Sequence, residues 1–492
     1  MTIQIDNLAP GEAAKRLGPT VHKIGGTSMS KVDAVMANVI VGKRSGRDLY
    51  NRVFVVSAYG GITDLLLENK KTGEPGVFAL YAGSDNDQAW GDALTKVQAR
   101  MIAINTEIFN DEMDRQIADR FVQERIKGVH SCLIDLQRIC SFGHFQLQEH
   151  LLTVREMISA TGEAHSAHNT TLLLRRRGIE AAFVDLSGWR ENEQMSLDAR
   201  ISAAFAGIDL LKVLPIVTGY SQAADGLMGI YGRGYSEVTF SAVARIIGAA
   251  EAVIHKEFHL SSADPRIVGV DKVQPIGHTN YDVADQLSNM GMEAIHPRAA
   301  KGLRKNGVPL RIKNTFEPDH PGTVIDDVWA PEDSRVEIIT GLENAVEVEV
   351  FDQDMVGLPG AGEETLAAFR RFKLPIVSWS MNANTTTFYV EAPLKQVRRV
   401  FEMIQKSQPE AEIQTRKVDI VSVIGANIKS PTLIADATAA LCDHAIELFA
   451  VHAPARGVDV QFVVADGGYD DAVRVLHAAL VEKTGNVNTL AA

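Results

Sequence analysis

Up to about Ile325 the chain repeats one pattern: short apolar runs, several apolar on both faces, separated by longer amphipathic or alanine-rich stretches. Val21–Ile24, Val53–Val56, Ala181–Val184, Val213–Val217, Ala252–Ile254 and Val308–Ile312 read as strands. A strand without a polar face must be covered on both sides, which selects a parallel sheet between helical layers. The stretch from about 86 to 156 lacks turn signals and carries helical spacing, as at Phe121, Ile126, Val129 and Leu133. It predicts a helical excursion from the sheet.

The pattern then changes. Phe316–Gly322 and Pro331–Ser334 are Pro/Gly-marked loops, which places a boundary near 325 and a linker over 326–335. Beyond it, Val346, Val348 and Val350 alternate with Glu347 and Glu349, the mark of a half-buried strand. A helix over Glu363–Lys373, strands over Ile376–Ser380 and Thr386–Val390, and a helix through Val397, Val400, Phe401 and Ile404 follow. The order recurs with strand Val418–Val423, helix Thr432–His444, strands Ile446–Val451 and Val458–Val464, and helix Asp470–Glu482. Two consecutive small α+β modules are expected, over 336–415 and 416–492, packed side by side. A repeated module behind a larger α/β domain points to regulation more than to chemistry.

The 492 residues exceed one ordinary core, and 46% hydrophobic with 23% charged residues describes a globular chain. A net charge of −13 argues against a nucleic-acid partner. No apolar run approaches membrane-spanning length and the N-terminus has no signal-like core, so no membrane association and a cytoplasmic location are expected. Cys132, Cys140 and Cys442 form no CxxC pair and read as small buried apolar residues.

Four stretches carry candidate chemistry. Lys23-Ile24-Gly25-Gly26-Thr27-Ser28 follows the first strand; paired glycines let backbone amides approach a phosphate, Thr27 and Ser28 can cap a helix, and Lys23 supplies a point charge. The same letters also suit a plain tight turn. Ser57 to Asp64 runs from a buried strand through Gly60 and Gly61 into a helix. Ser57 and Thr63 there either hold a carboxylate or phosphate, or merely end the strand and cap the helix. Thr161-Gly162-Glu163 with His165 and His168 invites a metal reading, yet the spacing is not that of a zinc protease. Glu163, placed at a helix start, suits a substrate ammonium better, and no metal-ligand set is assigned. Gly232-Arg233-Gly234-Tyr235-Ser236-Glu237, opening a helix over Val238–Ile247, is a plausible anion site. Ala263-Asp264-Pro265-Arg266 and Ile295-His296-Pro297-Arg298 add further cations.

Together, and in order from His22 to about Lys483, these motifs resemble the aspartate kinases of the amino-acid kinase superfamily, and the terminal modules resemble ACT domains. The resemblance implies an α/β amino-acid kinase fold followed by two ACT-like βαββαβ modules. It implies an enzyme that transfers the γ-phosphoryl group of ATP, with Mg²⁺, to the β-carboxylate of L-aspartate. Lys23, Arg233 and Glu237 would be catalytic. Ser57, Thr63, Glu163, Arg233 and Ser236 would hold aspartate, Arg233 at its α-carboxylate. Lys23, Gly25, Gly26, Thr27, Ser28, His255, Lys256, Arg266 and Glu293 would line the nucleotide. Gln353, Asp354 and Met355 would meet an amino-acid effector, threonine or lysine, and the ACT-like modules would pair a homodimer or larger assembly.

The chain departs from the family pattern at three places. Tyr235 and Glu237 stand where the family has glycine and aspartate, His255-Lys256 replaces Thr-Asp, and Glu293 replaces a lysine. Lys256 and Glu293 could form a charge-swapped pair. Such departures resemble the divergent aspartate kinases of ectoine synthesis. The rival readings are another member of the superfamily, a catalytically weak amino-acid sensor, and a metallohydrolase built on Glu163, His165 and His168.

Overall fold

The computed structural model describes residues 18–483 except 71, 84–86, 293, 358–361 and 430. The chain divides into two compact units, one of residues up to His259 with His296–Asp327, the other of Leu260–Ile295 with Val328 onward. Residues 260–295, which the sequence reading leaves in the first domain, therefore group with the C-terminal part.

In the first unit, strands β1 (Thr20–Ile24), β2 (Arg52–Val56), β3 (Ala181–Val184), β4 (Leu214–Thr218) and β5 (Glu251–Lys256) are joined by β7 (Leu310–Asn314) and β8 (Thr323–Asp326). Their order is β3-β4-β2-β1-β5-β7-β8, parallel throughout except for the antiparallel β7–β8 pair. Every residue of β2 and β4 is buried, as their doubly apolar sequences require. The helical excursion resolves into three helices, Asp87–Ile108, Glu112–Cys140 and Leu147–Arg176. They close a core with Phe54 and Val56 of the sheet through Trp90, Val97, Val129 and Ile158. The cysteine expectation is corrected here: Cys132 and Cys442 are exposed and Cys140 is half-buried. Cys132 lies on a helix whose inward face is held by Val129 and Leu133, so the thiol points away from the core.

The second unit contains the short strand β6 (His278–Asn280) and a sheet of β9 (Ile338–Phe351), β10 (Ile376–Asn382), β11 (Thr385–Val390), β12 (Glu412–Ile424), β13 (Leu448–His452) and β14 (Asp459–Ala465). The six run β10-β11-β9-β12-β14-β13, with every neighbouring pair antiparallel. The two repeats share their central strands. The first half of β12, Glu412–Lys417, pairs with Val346–Phe351, and the second half pairs with both β14 and the first half of β9. Each long strand thus serves both modules, and the expected boundary at 415/416 falls inside β12. Separate apolar cores lie behind each half, one around Phe369, Phe388 and Val400, the other around Phe462, Leu441 and Leu476. Among the described residues no helix is long and apolar enough to cross a membrane.

Candidate active site

In a parallel sheet the carboxyl ends of the strands open into the loops that hold ligands. β1 and β2, adjacent in the sheet, deliver the first two candidate segments to that edge, and β4 on the other side of β2 delivers the turn that follows Thr218 there. After β1, Gly25 and Gly26 lead into a short helix, Gly26–Met29. A Cβ on Gly26 would stand 2.8 Å from the Ala58 carbonyl oxygen, so glycine is what lets this turn lie against the loop after β2. That loop is tied back by the Gly60 amide, which donates to Ser30 Oγ at 2.7 Å. Gly61, at φ +83, begins the Ile62–Leu66 helix that carries Thr63.

Ser28 departs from the expectation of a free phosphate ligand. Its hydroxyl is fully buried, donates to Glu257 Oε1 at 3.1 Å and accepts from Thr315 Oγ1 at 3.1 Å. Only its backbone amide remains for a phosphate.

Glu163 is not at a helix start. It lies deep inside the Leu147–Arg176 helix, where every residue from Ile158 to Ala167 is buried. Gly162 permits this: a Cβ there would be 2.9 Å from Ala58 Cβ. Ser166 on the same helix donates to the Ser57 carbonyl at 2.8 Å, locking helix to loop. Burial pushes the Glu163 carboxyl up to about 8, against the opposing effects of Lys23, the Tyr220 amide and the Tyr235 hydroxyl. Among the described residues its Oε2 has no hydrogen-bond partner.

Two residues not singled out from sequence complete this corner. Gly219, just after β4, faces three groups: a Cβ would lie 2.8 Å from the Val56 carbonyl, 2.9 Å from Glu163 Oε1 and 2.9 Å from Ser236 Cβ. Glu163 and Ser236 therefore converge on one bare patch of backbone. Tyr220 gives Glu163 its amide, and its ring meets Tyr235 edge-on at 5.6 Å. The only hint in the sequence was a Thr-Gly directly after a buried strand.

The helix bearing Ser236 begins at Tyr235, three residues before the expected start, and runs to Ile246. Tyr235 is buried and hydrogen-bonds Glu163, so the bulk that replaces glycine is put to use as a donor. Arg233 sits in the Gly232–Gly234 turn at the head of this helix. Glu237 lies 3.4 Å from Lys23 Nζ and accepts the His296 amide. Burial alone would raise its pKa; Lys23, Lys256 and the His296 amide outweigh that and hold the carboxyl below the usual glutamate value. Gly234 allows the close approach, since a Cβ there would meet the His296 ring at 2.2 Å.

Strand alternation separates the His255-Lys256 pair. Lys256 acts on Glu237, on the side of Lys23. His255 points to the other face, where its Nε2 meets His22 Nδ1 at 3.0 Å. Glu293 lies outside the described residues, so the structure offers Lys256 another partner in Glu237. Arg266 belongs to the second unit, where Asp264 holds its guanidinium. His165 and His168 go different ways: His165 Nε2 meets Asn105 at 2.7 Å, while the His168 ring stacks on Phe121 at 4.1 Å. The helical face read as a possible metal site is thus a packed one.

The amino acid kinase family model matches residues 18–314. The aspartate kinase Ask_Ect of Stutzerimonas stutzeri is 48% identical over 473 residues, 96% of this chain and 99% of its own. The chain belongs to the aspartate kinases of the amino acid kinase family.

Solved aspartate kinases share the fold at much lower identity. Aspartokinase III of Escherichia coli, in complex with lysine and aspartate, superposes with a TM-score of 0.68 at 15% identity, over 94% of this chain and 99% of its own. The aspartate kinase of Clostridium acetobutylicum gives 0.69 at 18%, over 94% and 100%. This kinase therefore keeps the family architecture, with C-terminal regulatory modules on an antiparallel sheet.

Proposed function

We propose that this kinase transfers the γ-phosphoryl group of ATP to the β-carboxylate of L-aspartate, giving 4-phospho-L-aspartate and ADP. The observation that carries the residue assignment is the meeting of Glu163, Ser236 and the Lys23–Glu237 pair at the carboxyl edge of β1, β2 and β4. The β-carboxylate is already ionised at neutral pH and attacks phosphorus directly, so the protein needs position and cations rather than a base. Lys23 meets the charge developing on the transferred group, and Glu237 holds Lys23 in place. The Gly25 and Gly26 turn, with Thr27 and the Ser28 amide, lies along the phosphates.

Glu163 takes the substrate ammonium through its unpartnered Oε2. Ser57, Thr63 and Ser236 supply hydroxyl contacts to the carboxylates, and Arg233 takes the α-carboxylate. Arg266, whose guanidinium is held by Asp264, is assigned to the nucleotide phosphates by the family resemblance alone. Mg²⁺ takes most of its ligands from phosphates and water in such sites, with one or two carboxylates from the protein. Glu237, ionised beside Lys23, fits that need. The ion would neutralise charge on the triphosphate.

Lysine or threonine would act through the second unit. There Asp352 caps the Gln353–Met355 turn, leaving Gln353 and Asp354 exposed and Met355 buried, so the first two are the contacts offered to an effector. Pairing of the ACT-like modules across subunits would make a homodimer or larger assembly, and the product would feed aspartate-derived synthesis, ectoine included.

The test uses hydroxylamine to trap the acyl phosphate formed from Mg-ATP and L-aspartate. Aspartate-dependent hydroxamate, absent with L-glutamate and abolished by Lys23→Ala, is expected. No product from aspartate would overturn the reading.

A further inference from the structure

The alternation that sends Lys23 and Lys256 towards Glu237 sends His22 and His255 to the opposite face of the same strands. On that face lies a cavity of about 340 Å³, floored by β1, β5 and β7. Four cations line it, Arg44, Arg52, Arg311 and Lys313, together with the two histidines. Glu251 is the one carboxylate among the lining residues, and Arg311 already holds it at 2.7 Å. In a chain whose net charge is −13, a net excess of three positive charges around one cavity is a local inversion of the whole-molecule field.

Arg44 and Arg52 have no ion-pair partner among the described residues, while Glu251 and Asp319 act on Lys313. The Arg52 guanidinium is 6% exposed and donates only to the carbonyls of Val39, Ile40 and Leu49. Lys313 donates to the Pro318 carbonyl. Arg44 is exposed and has no carboxylate partner among the described residues. His22 and His255 are both buried; His22 Nε2 is held by Thr20 and its Nδ1 by His255 Nε2, leaving His255 Nδ1 without a partner among the described residues. Like charges gathered around one cavity, with Arg52 buried among them, repel, and a bound anion would relieve this.

We propose that this cavity is a second anion site, distinct from the nucleotide site, built for a phosphate-class oxyanion. Cations converging from β2, β7 and the loop at Arg44 suit an anion that presents oxygens in several directions, and guanidinium groups match phosphate oxygens in pairs. The volume accepts either inorganic phosphate or a phosphate carried on a small organic group. His255, which lines the cavity, also accepts the Gly25 amide through its carbonyl at 3.5 Å.

The experiment titrates the full chain, without nucleotide, with inorganic phosphate and with glycerol phosphate, against chloride at matched ionic strength. Binding is read by calorimetry and by the rise in melting temperature. Saturable binding is expected. It should weaken at least tenfold in Arg44→Glu and in Lys313→Gln, and persist in Lys23→Ala. The tighter of the two ligands tells whether the oxyanion is free or carried. Arg44 is exposed, so its variant tests the site without disturbing the core. Binding no stronger than chloride would overturn the proposal. So would binding that Lys23→Ala abolishes and Arg44→Glu leaves intact, because the phosphate would then sit in the nucleotide site.

Discussion

Lys23 Nζ stands 3.4 Å from Oε1 of Glu237, and the His296 amide binds the other oxygen of that carboxylate. The side chains are only 11% and 13% exposed, so neither charge is well hydrated and each depends on the other. One end of the pair comes from a strand and the other from a helix 214 positions later.

Lys23→Ala should lower kcat by about 10²–10³, the usual effect of removing one group that stabilises developing charge. Glu237→Ala should instead destabilise the fold by about 3 kcal/mol, because it leaves a mostly buried ammonium unpaired. Glu237→Asp keeps the pair at one methylene less and should retain most of the melting temperature. Thermal melts beside hydroxamate assays separate the two effects; an unchanged melt in Glu237→Ala would remove the pairing argument.

If Glu163 takes the substrate ammonium as proposed, aspartate binding should depend on pH. Its folded pKa of about 8 lies above the ordinary glutamate value of 4.5, so between those values the folded state keeps a proton that the unfolded chain has lost. Its contribution to stability is complete below pH 4.5 and lost as pH rises through 8. The ammonium of aspartate needs the ionised form, so binding near neutral pH should release a proton, and KM for aspartate should fall as pH approaches 8. Calorimetry in two buffers of different ionisation enthalpy measures the proton. Glu163→Gln should abolish both effects.

Tyr235→Phe removes one donor to Glu163 and raises that carboxyl further. At about 0.5–1.5 kcal/mol for a single hydrogen bond, KM for aspartate should rise roughly twofold to tenfold near neutral pH and recover at higher pH. An equal loss at every pH would point to packing instead.

Gly219→Ala places a methyl group against Glu163, Ser236 and the Val56 carbonyl, all within 3 Å. The crowding should cost about 1–3 kcal/mol of stability. It should also raise KM for aspartate more than KM for ATP. Steady-state kinetics with each substrate varied in turn would show the asymmetry.

A chain cut after Gln408 should lose more than its second module. It would strip β12 from β9 along the whole shared ladder, leaving a long apolar edge. Aggregation is expected, read by light scattering; a soluble, folded product would show that the modules are separable.

Much of this protein was legible in its sequence because the deciding physics is local. Strands such as Phe54–Val56 must be buried on both faces, so a parallel sheet followed from the pattern of apolar runs. The Gly25-Gly26 pair announced a close backbone approach, which Gly26 makes, and the repeated strand-and-helix order announced paired modules. What the sequence left open depended on which distant segments become neighbours. Glu163 read as a helix start because its surroundings are small and polar. Only the packing of the Leu147–Arg176 helix against β2 and β4 buries it and raises its pKa. Gly219 and Tyr220 entered the site because β4 pairs with β2, a contact across more than a hundred residues. Period-two alternation could say that His255 and Lys256 face opposite ways. Which face held Glu237 and which held Arg44, Arg52 and Lys313 was decided by the tertiary structure, because a face acquires its charge from whatever packs against it.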